Sequence, residues 1–288
     1  MSTIQWFPGH MAKARKEVIE KLPLVDIVIE LVDARLPLSS RNPMLDKLIQ
    51  NKPHLILLNK KDLADPNQTQ KWIHYFEEQQ MAALAINAKK NQQEKIIIKK
   101  CQEILADKIA RREAKGLKPK AIRAMIIGIP NVGKSTLLNR MLNKKIAKTG
   151  NKPGVTKAQQ WLKVAGALEL LDTPGILWPK FEDQTIGLKL ALTGAIKDDL
   201  YHVDDVALYG LEFFKKTYPE RLKEDYKLSE IDLDQPMAEL LLLLTQKRGY
   251  RDDYERMSVQ IIQDIRQGKL GAYTLDMVEE DVIKSGND

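Results

Sequence analysis

The sequence predicts an α/β domain built on a parallel sheet, followed by an all-α module. Three observations carry that reading. Through residue 177, short β-branched apolar runs alternate with longer helix-like stretches, the pattern of parallel strands covered on both faces. A glycine-bracketed loop at 128–135 springs directly from one of those runs. After Trp178-Pro179 the strand-like runs cease, and capped stretches with 3.6-type spacing take over. Domains are therefore expected at 1–177 and 178–288, in line with a soft prior of ~150 residues per domain.

Taken in order, 25–32 reads as a buried strand and 33–43 as a turn-rich segment. A helix is expected over 45–50, a strand over 54–58, a helix over 69–80 carrying Trp72, Tyr75 and Phe76, and a short strand over 83–86. One long helix over 96–114 trails into a linker at 115–120, marked by Gly116 and Pro119. A strand over 122–127 runs into the glycine loop, a helix over 136–142 follows it, and a strand over 168–171 ends at Asp172. In the second module, helices are expected over 206–217, 237–247, 253–268 and 274–285. Leu240 to Leu244 fits a helical core, and the pairs Asp204-Asp205 and Asp252-Asp253 suit helix N-termini.

Composition narrows the function classes. Hydrophobic residues make 43% and charged residues 30%, which excludes a disordered chain. One cysteine, Cys101, excludes an intramolecular disulfide framework and Cys-rich zinc sites, and is expected to be a small buried side chain. His54, His74 and His202 lack metal-like spacing. No apolar run approaches the ~20 residues of a membrane helix, and MSTIQWFPGHMAK lacks a secretory core. The expectation is a cytoplasmic chain with no membrane partner. The net charge of +7 conceals +15 over 1–177 and −8 over 178–288. Opposite signs point to two modules and a polyanionic partner for the first. Residues 99–123 alone carry nine Lys/Arg against three acids, a further basic group surrounds 140–163, and the acidic tail keeps a local cluster of Lys247, Arg248, Tyr250, Arg251, Tyr254 and Arg256. Such clusters suit nucleic-acid phosphates and unstacked bases.

Gly128-Ile129-Pro130-Asn131-Val132-Gly133-Lys134-Ser135 fits GxxxxGK[ST], with a strand before it and a helix after it. Backbone N–H groups of such a loop wrap an anion, helped by the positive end of the following helix. Asn131, Val132, Gly133, Lys134, Ser135 and Thr136 are thus nucleotide-binding candidates. Lys134 suits the β- and γ-phosphates and the charge that develops during transfer, and the Ser135 hydroxyl suits Mg²⁺. Asp172-Thr173-Pro174-Gly175 lies 38 residues past Lys134. There a strand-end Asp172 can hold Mg²⁺ through water, and the Gly175 N–H can meet the γ-phosphate. Between them, Thr156 of Pro153-Gly154-Val155-Thr156 lies where a second Mg²⁺ hydroxyl ligand belongs.

Asn59-Lys60-Lys61-Asp62 ends the 54–58 strand. Asp62 can accept from the N1–H and N2 amino group of guanine, neither of which adenine offers. Asn59 can hold the loop and reach the purine, and the Lys60 stem can cover the ring. Leaving Asp62 buried and unpaired would reject adenine. Asn87-Ala88-Lys89, after the next strand, offers backbone N–H groups to the guanine oxygen. The two motifs together argue for GTP and GDP rather than ATP.

These five motifs are those of the translation-factor class of GTPases, in the order base, base, phosphate, switch I, switch II. The chain resembles a P-loop GTPase domain with circularly permuted motif order, followed by an all-α C-terminal domain. Permutation keeps every strand pairing and moves only the loop that is cut. With Trp6-Phe7-Pro8-Gly9-His10-Met11, Val32-Asp33-Ala34-Arg35, Ser40-Arg41-Asn42-Pro43 and the helical tail, the chain is similar to the bacterial ribosome biogenesis GTPase A family. The resemblance implies GTP hydrolysis, late maturation of the large (50S) ribosomal subunit, contacts to rRNA and ribosomal proteins but not DNA, and an RNA-binding helical tail. Residue reading alone keeps two alternatives: a P-loop metabolic or tRNA-modifying enzyme, and a GTP-binding interaction protein with little turnover. It also allows a plain structural bundle for the tail.

Many GTPases place a water-orienting glutamine just after the DxxG turn; here Ile176 stands there, so slow intrinsic hydrolysis is expected. His10 is the best local replacement, since an imidazole with pKa near ~6.5 can orient or deprotonate water. The resemblance implies the same role for the PGHM histidine. Asn131 resembles the asparagine with which related GTPases coordinate K⁺ beside the phosphates.

Overall fold

The computed structural model describes residues 16–43, 48–49, 52–142, 161–172 and 183–278. His10, Thr156, Gly175, Ile176, most of the expected 45–50 helix and the 177/178 boundary lie outside the described residues.

Among the described residues, six strands form one sheet in the order β3-β2-β1-β4-β6-β5: β1 Ile27–Asp33, β2 His54–Asn59, β3 Ala82–Ala85, β4 Ile122–Ile127, β5 Trp161–Val164 and β6 Leu168–Asp172. β1 is buried at every position, as its near-continuous apolar run requires when both faces are covered. The expected all-parallel sheet needs one correction. β5 runs antiparallel to β6, from Trp161 opposite Leu171 to Val164 opposite Leu168. Its hairpin turns on Ala165 (φ 48°) and Gly166 (φ 71°), a pair of positive φ angles that matches the twist of adjacent strands.

Helix α1, Pro66–Glu78, starts three residues before the expected 69. Asp65 caps it by accepting from the N–H groups of Asn67 and Gln68, and Pro66 occupies the first turn. Its Trp72 and Phe76 pack on Val32, Ile56 and Leu58 of the sheet. The single helix expected over 96–114 is two: α2, Gln93–Ile104, and α3, Ala106–Glu113, broken at Leu105 (φ −99°, ψ 12°). α2 buries Ile97, Ile98 and Cys101, whereas α3 buries nothing. Past Leu105 only Ile109 of α3 still packs on the core, half-buried, so the apolar stripe thins and packing no longer holds the helix straight. Cys101 is buried as expected, and burial pushes its thiol up to about 12, as for an inert packing residue. Helix α4, Lys134–Met141, follows the glycine loop.

The second half holds α5 Gln184–Leu192, α6 Val203–Thr217, α7 Pro219–Tyr226, α8 Glu230–Asp234, α9 Met237–Lys247 and α10 Tyr254–Gln267. α9 matches its expected span, and α10 lies between the Asp253 cap and left-handed Gly268 (φ 74°). α5, α7 and α8 were not expected; each is short, and α8 spans only five residues. Gly210 lets α6 approach α10, since a Cβ there would meet Ile265 Cδ1 at 2.9 Å.

The helix expected over 274–285 is corrected at its start. Residues 273–277 form a non-helical strap in which Tyr273, Thr274, Leu275 and Asp276 are buried. The strap returns to the α/β half: the Leu275 N–H donates to the Arg35 carbonyl at 2.8 Å, and the Asp276 carboxylate accepts from the N–H groups of Leu38 and Ser39. One apolar core runs from Ile29 and Leu31 of β1 through Leu190 and Leu192 of α5 to Phe214, Ile261 and Tyr273.

Candidate nucleotide site

Parallel strands bring their C-terminal ends, and the loops that follow, to one edge of the sheet. The phosphate loop after β4 thereby meets the NKKD loop after β2 and the NAK loop after β3.

Asn59, 2% exposed, ties the three loops together. Its Nδ2 donates to the Val132 carbonyl at 2.7 Å, and its Oδ1 accepts from the Ala88 N–H at 2.8 Å. Gly133 faces it with φ 103°, and a Cβ there would lie 2.4 Å from Asn59 Nδ2. Gly128 is constrained in the same way, since its Cβ would lie 2.4 Å from the Leu31 carbonyl oxygen. Both loop glycines are therefore demanded by close backbone approach.

Lys134 is 9% exposed. Its Nζ donates to the carbonyls of Gly128 (2.8 Å) and Ile129 (3.1 Å), which hold the ammonium over the mouth of its own loop. Ser135 and Thr136 sit in the first turn of α4, where unpaired N–H groups and the helix dipole favour an anion. Asp172 pairs across from Ile126 at the end of β6, one strand from the loop.

Asn131 is exposed and left-handed (φ 62°). Its Nδ2 donates to the Gly194 carbonyl at 3.1 Å, linking the phosphate loop to the residues just past α5. Lys60 Nζ donates to the Asn131 carbonyl at 3.0 Å and lies 2.9 Å from Asp33 Oδ2. In the NAK loop, the Lys89 N–H donates to Asn87 Oδ1 at 2.9 Å, and Arg140 Nε donates to the Lys89 carbonyl at 3.1 Å. The N–H groups of Ala88 and Lys89, expected to face guanine, are engaged within the site here. Asp62 is exposed rather than buried.

Asp33 and Arg35 are polar residues whose place at this site residue reading did not reach. They are 3% and 2% exposed. Arg35 donates through Nε and Nη2 to the two Asp33 carboxylate oxygens, at 2.9 and 2.7 Å. The guanidinium and the Lys60 ammonium outweigh the cost of burial and hold the Asp33 carboxyl well below the usual carboxylate range. The burial of Asp33 and Arg35 depends on distant partners, since the strap supplies Tyr273 to the Arg35 guanidinium and the Leu275 N–H to the Arg35 carbonyl.

Away from this edge, a groove of about 500 Å³ is lined by Pro53, Ile104, Leu105, Lys108, Arg111, Arg112, Lys115 and Leu117, with Asp107. Pro53 precedes the N-terminal end of β2, so the groove lies at the opposite edge of the sheet from the phosphate loop. Lys108 pairs with Asp26 at 2.7 Å, and Arg123 pairs with Glu169 at 3.0 Å. In the tail, the Arg256 guanidinium stacks 4.2 Å from the Tyr250 ring centroid.

A phosphate loop on the fourth strand, joined through one asparagine to base-reading loops that precede it in the chain, defines a circularly permuted P-loop GTPase. Residues 123–258 match the family described as 50S ribosome-binding GTPase. A ribosome biogenesis GTPase A from Priestia megaterium is 57% identical over 280 residues, covering 95% of this chain and 96% of that one. A GDP-bound YlqF structure has the same fold at TM-score 0.67 and 24% identity, covering 92% of this chain and 100% of that one. GNP-bound YlqF from T. maritima gives 0.64 at 25% identity, covering 93% and 99%. The chain belongs to the ribosome biogenesis GTPase A family and is a GTP-hydrolysing enzyme.

Proposed function

We propose that the chain is a cytoplasmic assembly factor that binds the large ribosomal subunit, or its precursor, in the GTP form, promotes a late maturation step, and leaves after hydrolysis triggered by the subunit. The observation that carries this reading is the Asn59 amide, which bonds to both the phosphate loop and the NAK loop. A site that couples base to phosphates this tightly suits a guanine-nucleotide switch better than a metabolic enzyme.

Within it, Asp62 accepts from the guanine edge and is desolvated only when the base arrives. Asn87, Ala88 and Lys89 frame the guanine oxygen, and Lys60 covers the ring. The N–H groups of 131–136 receive the phosphates, with Lys134 at the β- and γ-oxygens. The Ser135 and Thr156 hydroxyls would offer hard oxygen donors to Mg²⁺ and the Asp172 carboxylate would hold it through water; the strand register that brings Asp172 level with Ile126 supports this. Mg²⁺ supplies charge neutralisation on the phosphates. Gly175 presents its N–H to the γ-phosphate.

His10 orients the attacking water in place of the glutamine that Ile176 supplants. His10→Ala is expected to leave GTP binding within about twofold and to lower subunit-stimulated turnover by about 10²-fold, the lower range for general acid–base catalysis. Single-turnover GTP hydrolysis on the subunit checks it, and a wild-type rate removes His10 from the mechanism. Asn131, oriented by its Nδ2 bond to the Gly194 carbonyl, would offer its side-chain Oδ1 to K⁺ beside the phosphates. Turnover is then expected to fall severalfold when Na⁺ replaces K⁺ at constant ionic strength, and equal rates contradict it.

The basic groove along α3 and the Arg256–Tyr250 cluster of the helical module, taken as 178–288, face rRNA. Sedimentation with purified large subunits tests this. A non-hydrolysable GTP analogue should retain the chain and GDP should release it, with retention falling steeply between ~50 and ~200 mM salt. Equal retention with both nucleotides contradicts the switch.

A further inference from the structure

The last turn of α5 and the residues after it present four consecutive carbonyls to three different parts of the molecule. Arg266 of α10 donates through Nη2 to the Ala191 carbonyl at 2.7 Å and through Nε to that of Leu192 at 3.1 Å. Arg35 Nη2 donates to the Thr193 carbonyl at 3.2 Å, and Asn131 Nδ2 to that of Gly194 at 3.1 Å. α5 begins at Gln184, nine residues past Gly175 of the DTPG motif. The carbonyls therefore join the phosphate loop, the end of β1 and the helical module at one point.

A second link runs to the base end of the site. Lys60 reaches Asp33, Asp33 holds Arg35 in a two-bond fork, and Arg35 Nη1 donates to the Tyr273 hydroxyl at 3.1 Å. Tyr273 is fully buried on the strap. Its own N–H donates to the Leu63 carbonyl at 3.0 Å, directly after Asp62. A buried chain of charge-assisted bonds of this kind has one satisfied arrangement, and losing any member leaves the next one unpaired.

We infer that Asp33, Arg35 and Tyr273 are positioning residues that make nucleotide affinity depend on the seating of the C-terminal strap, with Lys60 at the base and Asn131 at the phosphates as the two contacts through which seating is felt. The inference rests on the nucleotide reading of this site. Its physical content is linkage: if nucleotide favours the seated strap, the seated strap favours nucleotide by the same factor. A partner that pulls on the helical module thereby loosens the nucleotide without touching it.

The test uses the full chain, with GDP as probe, and the variants Tyr273→Phe and Arg35→Lys. The control is Tyr226→Phe, which loses an equally internal hydroxyl, bonded to Asp264 at 3.3 Å and away from the chain of contacts. GDP dissociation constants are expected to rise about fivefold to tenfold in Tyr273→Phe and Arg35→Lys, and to stay within twofold of wild type in Tyr226→Phe. Reciprocally, saturating GDP should slow hydrogen exchange of the Tyr273 and Leu275 amides by a larger factor than that of the α9 amides, which report the stabilisation any bound ligand gives. A merely structural role lowers the melting temperature of Tyr273→Phe but leaves its GDP affinity at the wild-type value; that result, or equal slowing at the strap and α9, overturns the inference. Failure of the wild-type chain to bind GDP would instead overturn the nucleotide reading on which it rests.

Discussion

Asp62→Asn is expected to lower GDP affinity by about a hundredfold or more and to create affinity for XDP in its place. In the proposed pose the Asp62 carboxylate accepts two hydrogen bonds from the guanine edge. Hydrogen bonds to charged groups contribute ~1.5–3 kcal/mol each, so losing the better part of both corresponds to a factor of 10² or more. The asparagine amide is acceptor on one side and donor on the other. The donor opposes the guanine N2 amino group, yet matches the carbonyl oxygen that xanthine carries at the same carbon. Asp62 is exposed in the structure and absent from the internal network of the site, so the fold should be indifferent to the change. Calorimetric titration of both nucleotides, with melting temperature as control, checks it. Equal loss of GDP and XDP binding would remove Asp62 from base recognition.

The second large effect is expected at Lys134. Lys134→Ala removes the ammonium that the Gly128 and Ile129 carbonyls hold over the phosphate loop. A single preorganised donor at a developing charge is worth ~10²–10³ in rate, and this one carries a full charge that is only 9% exposed. Turnover is expected to fall at least a hundredfold, and GTP affinity to fall more than that of a nucleoside lacking phosphates. The two carbonyls left without their ammonium can turn to water at the loop mouth, so the fold survives. Single-turnover hydrolysis under saturating GTP separates the two losses. A rate within tenfold of wild type contradicts the phosphate assignment.

Much of this site was legible because its chemistry is local. A phosphate loop needs two glycines, a lysine and a hydroxyl at set spacing between a strand and a helix, and the strand over Ile122–Ile127 matches its expected span at both ends. The loops after β2 and β3 carry their signals in three or four residues each. What escaped depends on distant partners. β5 is four residues long and closes an edge, so its burial alternates too briefly to register. The helix-like run breaks at Leu105, beyond which α3 keeps only Ile109 half-buried against the core. The strap at 273–277 carries a helical pattern, yet Tyr273 and Asp276 find better partners 238 residues back in the sequence, at Arg35 and Leu38. Tertiary contacts override local propensity at such places, and the buried Asp33–Arg35 pair was hidden for the same reason.

The +7 net charge also reads differently once placed on the fold. Its excess lies on the GTPase half, and part of it, carried by Lys108, Arg111, Arg112 and Lys115, lines the groove along α3 at the far edge from the phosphate loop. In the proposed function, the nucleotide and the rRNA bound along α3 take opposite edges of the sheet, and hydrolysis is communicated between them.

In the proposed function, the large ribosomal subunit switches this enzyme. GTP turnover measured with purified large subunits, with small subunits and with neither tests it most directly. Slow hydrolysis alone, strong stimulation by large subunits and none by small ones is the expected result. Stimulation by small subunits alone, or the same slow rate in all three, would contradict it.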